Sequence, residues 1–328
     1  MNFQEKMLPV NKEVGTFRDR GYYTWCGAMT KEGDKYGLLY SRWPYKTGMN
    51  GWVVWSEICL ATSDSATGPF KFEKVLLTRE EGDEAWDRDC FHNPCILCHE
   101  GKYYLYYMGN HGNGEFWPHR NNQRIGLAVA DSMYGPYKRM DKPVLDVGEE
   151  GFDSLMTSNP TVVKRPDGKF LMMYKAVNKE GNPPWGGAVL VGTALADKPE
   201  GPFVKANVPL MYNPNNFFSI EDPGLFYYND TCYCLVKDMH GFFTKTNEKS
   251  MALFTAEDGL YKFEPCEDFP LASDRTVKFT DGTTMKMCNL ERPQVYIEDG
   301  KPKVLCCAVA EDPEWKITYN IQIPLDFE

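Results

Sequence analysis

No stretch of this sequence holds the roughly 18 consecutive apolar residues that a membrane-spanning helix needs. The opening Met1-Asn2-Phe3-Gln4-Glu5-Lys6 lacks the apolar core of an export signal. The expected compartment is therefore the cytoplasm, or the periplasm or exterior if a leader has been trimmed. Positive charge is in deficit, with 36 lysines and arginines against 46 acidic residues and a formal net charge of -10. That balance argues against nucleic acid and anionic membrane surfaces as partners. No segment sustains a 3.6-residue apolar period, so long helices are not expected. The five histidines show no zinc-type spacing such as H-E-x-x-H, and no metal ligand is assigned. Cysteine is present as an odd eleven, and Cys232/Cys234 and Cys306-Cys307 suit buried strand packing better than a disulfide framework. Reduced thiols are expected, which again favours the cytoplasm.

What the chain has instead is repetition. Ser63-Asp64-Ser65-Ala66-Thr67-Gly68-Pro69-Phe70 returns as Ala130-Asp131-Ser132-Met133-Tyr134-Gly135-Pro136-Tyr137, and again as Ala196-Asp197-Lys198-Pro199-Glu200-Gly201-Pro202-Phe203. On the same beat come His92-Asn93-Pro94, Ser158-Asn159-Pro160, Glu221-Asp222-Pro223 and Glu291-Arg292-Pro293, each expected to open a strand. Short aromatic or β-branched runs follow hairpin cues at Glu100-Gly101, Asp167-Gly168, Asn229-Asp230 and Asp299-Gly300. A period of about 66 residues in β-type sequence means radial blades, and five periods fill residues 1–328. The expected fold is all-β, a single-domain five-bladed β-propeller. The first repeat, around Trp25-Cys26-Gly27, is degenerate, and the tail Trp315 to Pro324 is expected to pair with the N-terminal segment and close the ring. The loops Gly109 to Gln123 and Asn178 to Gly187 are long, aromatic and rich in Gly and Pro, as functional loops often are.

Equivalent positions of different blades converge on one mouth. Strand alternation places Asn93, Asn159, Asp222 and Arg292 in one set and His92, Ser158, Glu221 and Glu291 in the other. Carboxylates occur only in the fourth and fifth repeats, and a position used for chemistry has no need to recur. The same test sorts the upstream aspartates. Asp87 recurs as Asp153, which favours a blade-junction turn, while Asp89 has no counterpart and ranks above it as a functional candidate.

Two carboxylates facing a cavity suit glycosidic bond cleavage, one protonating the leaving oxygen and the other activating water or attacking carbon. Glu221 is the expected acid and Asp89 the expected base or nucleophile, with Glu291 as a further catalytic candidate. A structural network in which Arg292 pairs with a carboxylate is the alternative for these residues. Aromatic residues make up 14% of the chain, and Trp25 and Trp185 are candidates to stack on sugar faces. The expected substrate contacts are Trp25, Asp87, His92, Asn93, Asn159, Trp185, Asp222, His240 and Arg292, with Arg124 and Lys237 as weaker rim candidates. Three motifs are discounted: Cys95-Ile96-Leu97-Cys98-His99 as a haem site, because its cysteines point to opposite strand faces; Asn229-Asp230-Thr231 as a glycan acceptor, because it reads as a turn; and any histidine zinc site. No cofactor is required, and a structural divalent cation such as calcium in the channel is compatible with this chemistry.

With these residues the chain resembles the five-bladed propeller glycosidases, closest in style to glycoside hydrolase family 43. The resemblance spans nearly the whole length and rests on the Gly-Pro-Phe/Tyr elements and the X-Pro positions. That family uses a base Asp in the first blade, a pKa-modulating Asp in the third and an acid Glu in the fourth. The resemblance implies Glu221 as the acid; Cys26 and Gly27 stand where the base is expected, and Asn159 stands for the modulating Asp. Glu221-Asp222-Pro223 also resembles an element of the family 130 mannoside phosphorylases, whose Arg after the Pro is Gly224 here. The implied function is an exo-acting glycoside hydrolase removing a terminal sugar from a plant or algal oligosaccharide. A phosphorylase and a non-catalytic sugar-binding propeller are the alternatives. The sequence does not specify the sugar or the oligomeric state.

Overall fold

Two-residue turns with both residues at positive φ match the twist of antiparallel strands, and three of the four expected cues adopt this form. Glu100-Gly101 (φ 50° and 75°), Asn229-Asp230 (49° and 59°) and Asp299-Gly300 (51° and 75°) each join the first two strands of a sheet. The computed structural model describes residues 1–327. It contains five antiparallel sheets of four strands or more. The first blade is Tyr22–Glu32, Lys35–Pro44, Glu57–Ser63 and Lys71–Leu77; the second is Cys90–His99, Lys102–Asn110, Arg124–Ala130 and Lys138–Arg139. The third is Met156–Lys164, Phe170–Val177, Val189–Ala196 and Val204–Lys205; the fourth is Ile220–Tyr228, Thr231–Asp238, Ser250–Ala256 and Glu264–Pro265. The fifth comprises Asn289–Glu298, Lys301–Ala310 and Thr318–Pro324, and its outermost strand, Thr16–Phe17, comes from the other end of the chain. Thr16 pairs with Ile321 and Phe17 with Asn320, so the expected ring closure is present. Helices are short: Phe3–Lys6, Trp52–Trp55 and Phe116–Asn121. Among the described residues no helix is long and apolar enough to cross a membrane.

The core is five wedges between blades, because each sheet must bury both faces. Successive residues of one strand serve different wedges. Leu38 packs between the fifth and first blades while Leu39 packs between the first and second, and Cys306 and Cys307 divide in the same way. Adjacent cysteines thus face opposite directions, and all eleven are free thiols.

The X-Pro elements do not open the inner strands, as expected from sequence, but lie inside them as bulges. Pairing steps from His92↔Met108 to Cys95↔Tyr106, and equivalent skips follow Trp25, Ser158, Glu221 and Glu291. A bulge leaves one residue unpaired, which is where a proline without an N–H fits a strand. The first residue of each bulge, followed by Pro in four blades and by Gly27 in the first, takes a left-handed conformation: Cys26 (φ 47°), Asn93 (53°), Asn159 (49°), Asp222 (61°) and Arg292 (54°).

A second recurrent device sits in the outer part of the blades. Tyr107 donates to Asp87 at 2.5 Å, and Arg139 from the fourth strand pairs with the same carboxylate at 2.6 Å. Tyr174, Asp153 and Lys205 repeat this in the third blade at 3.0 and 2.6 Å, and Tyr40, Asp19 and Arg42 in the first, both at 2.6 Å. Asp87 is therefore a buried strut that ties strands together. It lies outside the mouth pocket, contrary to its expected place among the substrate contacts.

Candidate active site

Strand pairing sets one side-chain pair per blade at the mouth: Trp25 opposite Ser41, His92 opposite Met108, Ser158 opposite Lys175, Glu221 opposite Lys237, and Glu291 opposite Ala308. The next residue in each blade is the bulged one, and these five converge on the axis. The Cys26 thiol donates to Asn93 Oδ1 at 2.6 Å, Asn93 Nδ2 to Asn159 Oδ1 at 2.5 Å, and Asn159 Nδ2 to Asp222 Oδ1 at 2.7 Å. Arg292 Nη1 reaches the same Asp222 oxygen at 3.4 Å. All five are buried, so this polar chain floors the pocket and joins the blades. Burial pushes the Cys26 thiol well above its ordinary range, so it stays neutral.

Above this floor lies a pocket of about 140 Å³. One wall is aromatic: Trp25, Trp43, Trp52 and Trp315, with Met49 and His92. Trp25 packs on Trp315 at 5.2 Å between ring centroids, and Trp52 stacks on His92 at 4.9 Å. His92 shares a hydrogen bond with Ser56 Oγ at 2.8 Å, and burial, then the Arg292 and Lys175 charges, hold its pKa well below normal. The opposite wall is charged: Glu221, Glu291 and Lys175 line it. Lys237 Nζ sits behind them, 2.8 Å from Glu221 and 2.6 Å from Glu291, and Lys175 Nζ is 3.3 Å from Glu221. A larger hollow of about 470 Å³ opens at the far end of the channel, but no carboxylate lines it.

Electrostatics separates the two adjacent carboxyls. Burial alone raises Glu221, but Lys237 and then Lys175 outweigh it and hold the group ionised. Asp222 is pushed the other way, to about 6, by burial and then by the Glu221 charge, with Arg292 and Lys237 offsetting only part. Lys237 is lowered by burial and raised more by Glu221 and Glu291, so it remains an ammonium. The three carboxylates also bear on the cation expected from sequence. Glu221, Asp222 and Glu291 each bring an oxygen within 4.8 Å of the others, yet Lys237 and Arg292 already compensate them.

Of the residues singled out from sequence, Trp25, His92, Asn93, Asn159, Glu221, Asp222, Glu291 and Arg292 are brought together around this pocket. Asp89 is not. It pairs with Arg79 at 3.3 Å and accepts the Gly112 N–H at 3.0 Å, so the loop 109–123 claims the carboxylate expected to act as base. His240 is exposed outside the pocket, and its backbone N–H donates to Asp238 Oδ1. Trp185 stands on the rim, 55% exposed. Sequence reasoning missed Lys175 and undervalued Lys237. Their signal was a lysine inside an apolar strand, in Met173-Tyr174-Lys175-Ala176 and Leu235-Val236-Lys237, which requires a buried counter-charge.

The class defined by this fold is the five-bladed propeller shared by glycoside hydrolases. A family 117 glycoside hydrolase of the marine bacterium Zobellia galactanivorans superposes with a TM-score of 0.66 at 21% identity, covering 98% of this chain and 90% of that one. A thermostable family-43 glycoside hydrolase gives 0.66 at 16% identity over 98% and 93% of the two chains. In sequence, a Bacteroides ovatus protein described as a xylosidase/arabinosidase is 35% identical over 78 residues, which is 23% of this chain and 20% of that protein. No protein-family model matches the chain.

Proposed function

We propose that this chain is a glycoside hydrolase that removes a terminal sugar from a plant or algal oligosaccharide. The observation that carries the reading is the pocket itself: four tryptophans face a buried carboxylate cluster across a single small cavity. At about 140 Å³ it is well below the ~300–1,000 Å³ of sites for larger ligands, which suits one sugar ring and an exo mode of action. The pocket shares its fold with glycoside hydrolases, and a segment of the chain resembles a protein described as a xylosidase/arabinosidase.

The roles follow from charge. The family position would make Glu221 the acid, but two lysines hold it as the carboxylate that attacks the anomeric carbon or activates water. Asp222, whose proton is retained toward neutral pH, is the proton source, and Glu291 anchors Lys237. Groups whose environments drive their pKa values apart are the natural acid and base of a site. A phosphorylase is disfavoured on two grounds. Lys175 and Lys237 are already paired with Glu221 and Glu291, which leaves neither ammonium free for phosphate. An arginine at Gly224 has no room either, since a Cβ there would lie 2.1 Å from the Pro293 carbonyl oxygen.

The silent sugar-binding reading draws on Cys26 and Asn159, which occupy two positions where family 43 carries carboxylates. A panel of aryl glycosides with arabino- and xylo-oligosaccharides, assayed with and without phosphate, decides between these readings. Glu221→Gln should lower kcat by about 10³-fold while sugar binding, followed by calorimetry, persists. Binding without turnover in the wild-type protein would instead establish a non-catalytic propeller.

A further inference from the structure

The aromatic wall of the pocket does not end at the mouth. Trp52, which lines the pocket, meets Phe116 edge-on at 6.3 Å, Phe116 meets Trp117 at 5.2 Å, and Trp117 meets Trp185 at 4.6 Å. These rings come from three different connections between second and third strands, in the first, second and third blades. Exposure rises along the row: Trp52, Phe116 and Trp117 are half-buried, and Trp185 is 55% exposed. The outermost ring is nevertheless held in place. Arg120 Nη1 donates to the Trp185 carbonyl at 2.9 Å, Asn121 Nδ2 donates to the Pro184 carbonyl at 3.0 Å, and the Arg120 guanidinium lies 5.8 Å from the Trp117 ring. Within the loop, the Trp185 N–H donates to the Asn182 carbonyl and the Gly187 N–H to the Asn178 carbonyl, both at 2.9 Å.

Trp185 packs one side on Trp117 and keeps 55% of its surface in water although the main chain of its loop is pinned by hydrogen bonds, so part of the ring stays available. Its free face suits a flat partner with one apolar side, and a sugar ring presents such a side. We propose that Trp185, which meets Trp117 edge to face, forms a leaving-side subsite on whose free face a sugar ring beyond the terminal one stacks, with Phe116 and Trp117 bordering the path from the pocket. The inference rests on the reading of the pocket as a terminal-sugar site. It adds that this protein selects chains of three or more rings over disaccharides, and that their path runs over the second and third blades.

The test is calorimetric binding of arabino- and xylo-oligosaccharides of one to four rings to the wild-type protein, Trp185→Ala and Trp185→Phe. Wild-type affinity should rise with length, by about tenfold in total between two and four rings. Trp185→Ala should remove most of that gain, and Trp185→Phe should restore it. An unchanged length dependence in Trp185→Ala, or none in the wild type, overturns the rail alone. Failure of every sugar to bind the wild-type protein overturns the pocket reading together with it.

Discussion

Between Lys237 and Lys175, the Glu221 carboxyl is stabilised as an anion that burial alone would disfavour. The consequences for pH carry opposite signs at two neighbouring residues. Glu221 has a folded pKa below its unfolded value, so its stabilising contribution is present above about 4.5 and is lost as pH falls toward the folded value. Asp222 has a raised folded value, so its ionisation opposes folding as pH rises from 3.8 through about 6. If Asp222 supplies the proton, kcat/KM falls as pH climbs through about 6. Lys237→Met removes the partner of both glutamates and should raise Glu221, bringing an acid limb into the measurable part of the pH–kcat/KM profile. The same change leaves two buried carboxylates under-compensated and should cost about 3–5 kcal/mol in urea unfolding. A profile unmoved by Lys237→Met would show that Glu221 does not carry the ionisation that matters.

The strands repay a comparison with their sequence cues. Positive-φ turn pairs were legible because Asn, Asp and Gly tolerate that conformation more readily than other residues. The X-Pro elements were legible as a repeat but misleading as strand starts, because a proline excluded from a ladder is equally at home in a bulge. Asp87 was readable as structural from its recurrence at Asp153, yet its partners Tyr107 and Arg139 come from two other strands and no local pattern links them. Tyr107→Phe should cost about 1–3 kcal/mol, by removing the hydroxyl that donates to a buried carboxylate. Chemical denaturation measures it, and a loss below a few tenths would mean that Arg139 alone satisfies Asp87. Asp89 failed for a different reason. Its distance along the chain from Asn93 was read correctly, but the loop that supplies the Gly112 N–H folds back over it.

For the molecule as a whole, closure is the decisive contact. Thr16–Phe17 completes the fifth blade, and Phe3 and Val10 are buried in the wedge between the fourth and fifth blades. Deleting residues 1–17 removes an edge strand and three buried apolar side chains, Phe3, Val10 and Phe17. The loss should reach roughly 5 kcal/mol or more, comparable with the whole stability of many domains. Differential scanning calorimetry should show the single transition fall by many degrees or split. An unchanged transition would mean that the three wedges the segment does not enter hold the ring without the clasp.

The number of blades, the hairpin turns and the convergence of the Glu221, Asp222, Glu291 and Arg292 segments on one mouth were determined by the chain itself, because period, strand alternation and turn chemistry are local and repeat. The tertiary structure alone decided which carboxylates share the pocket and which charges they meet. Lys175 lies 46 residues from Glu221 along the chain but 3.3 Å from it in space, and such a pairing depends on neighbouring blades being packed side by side.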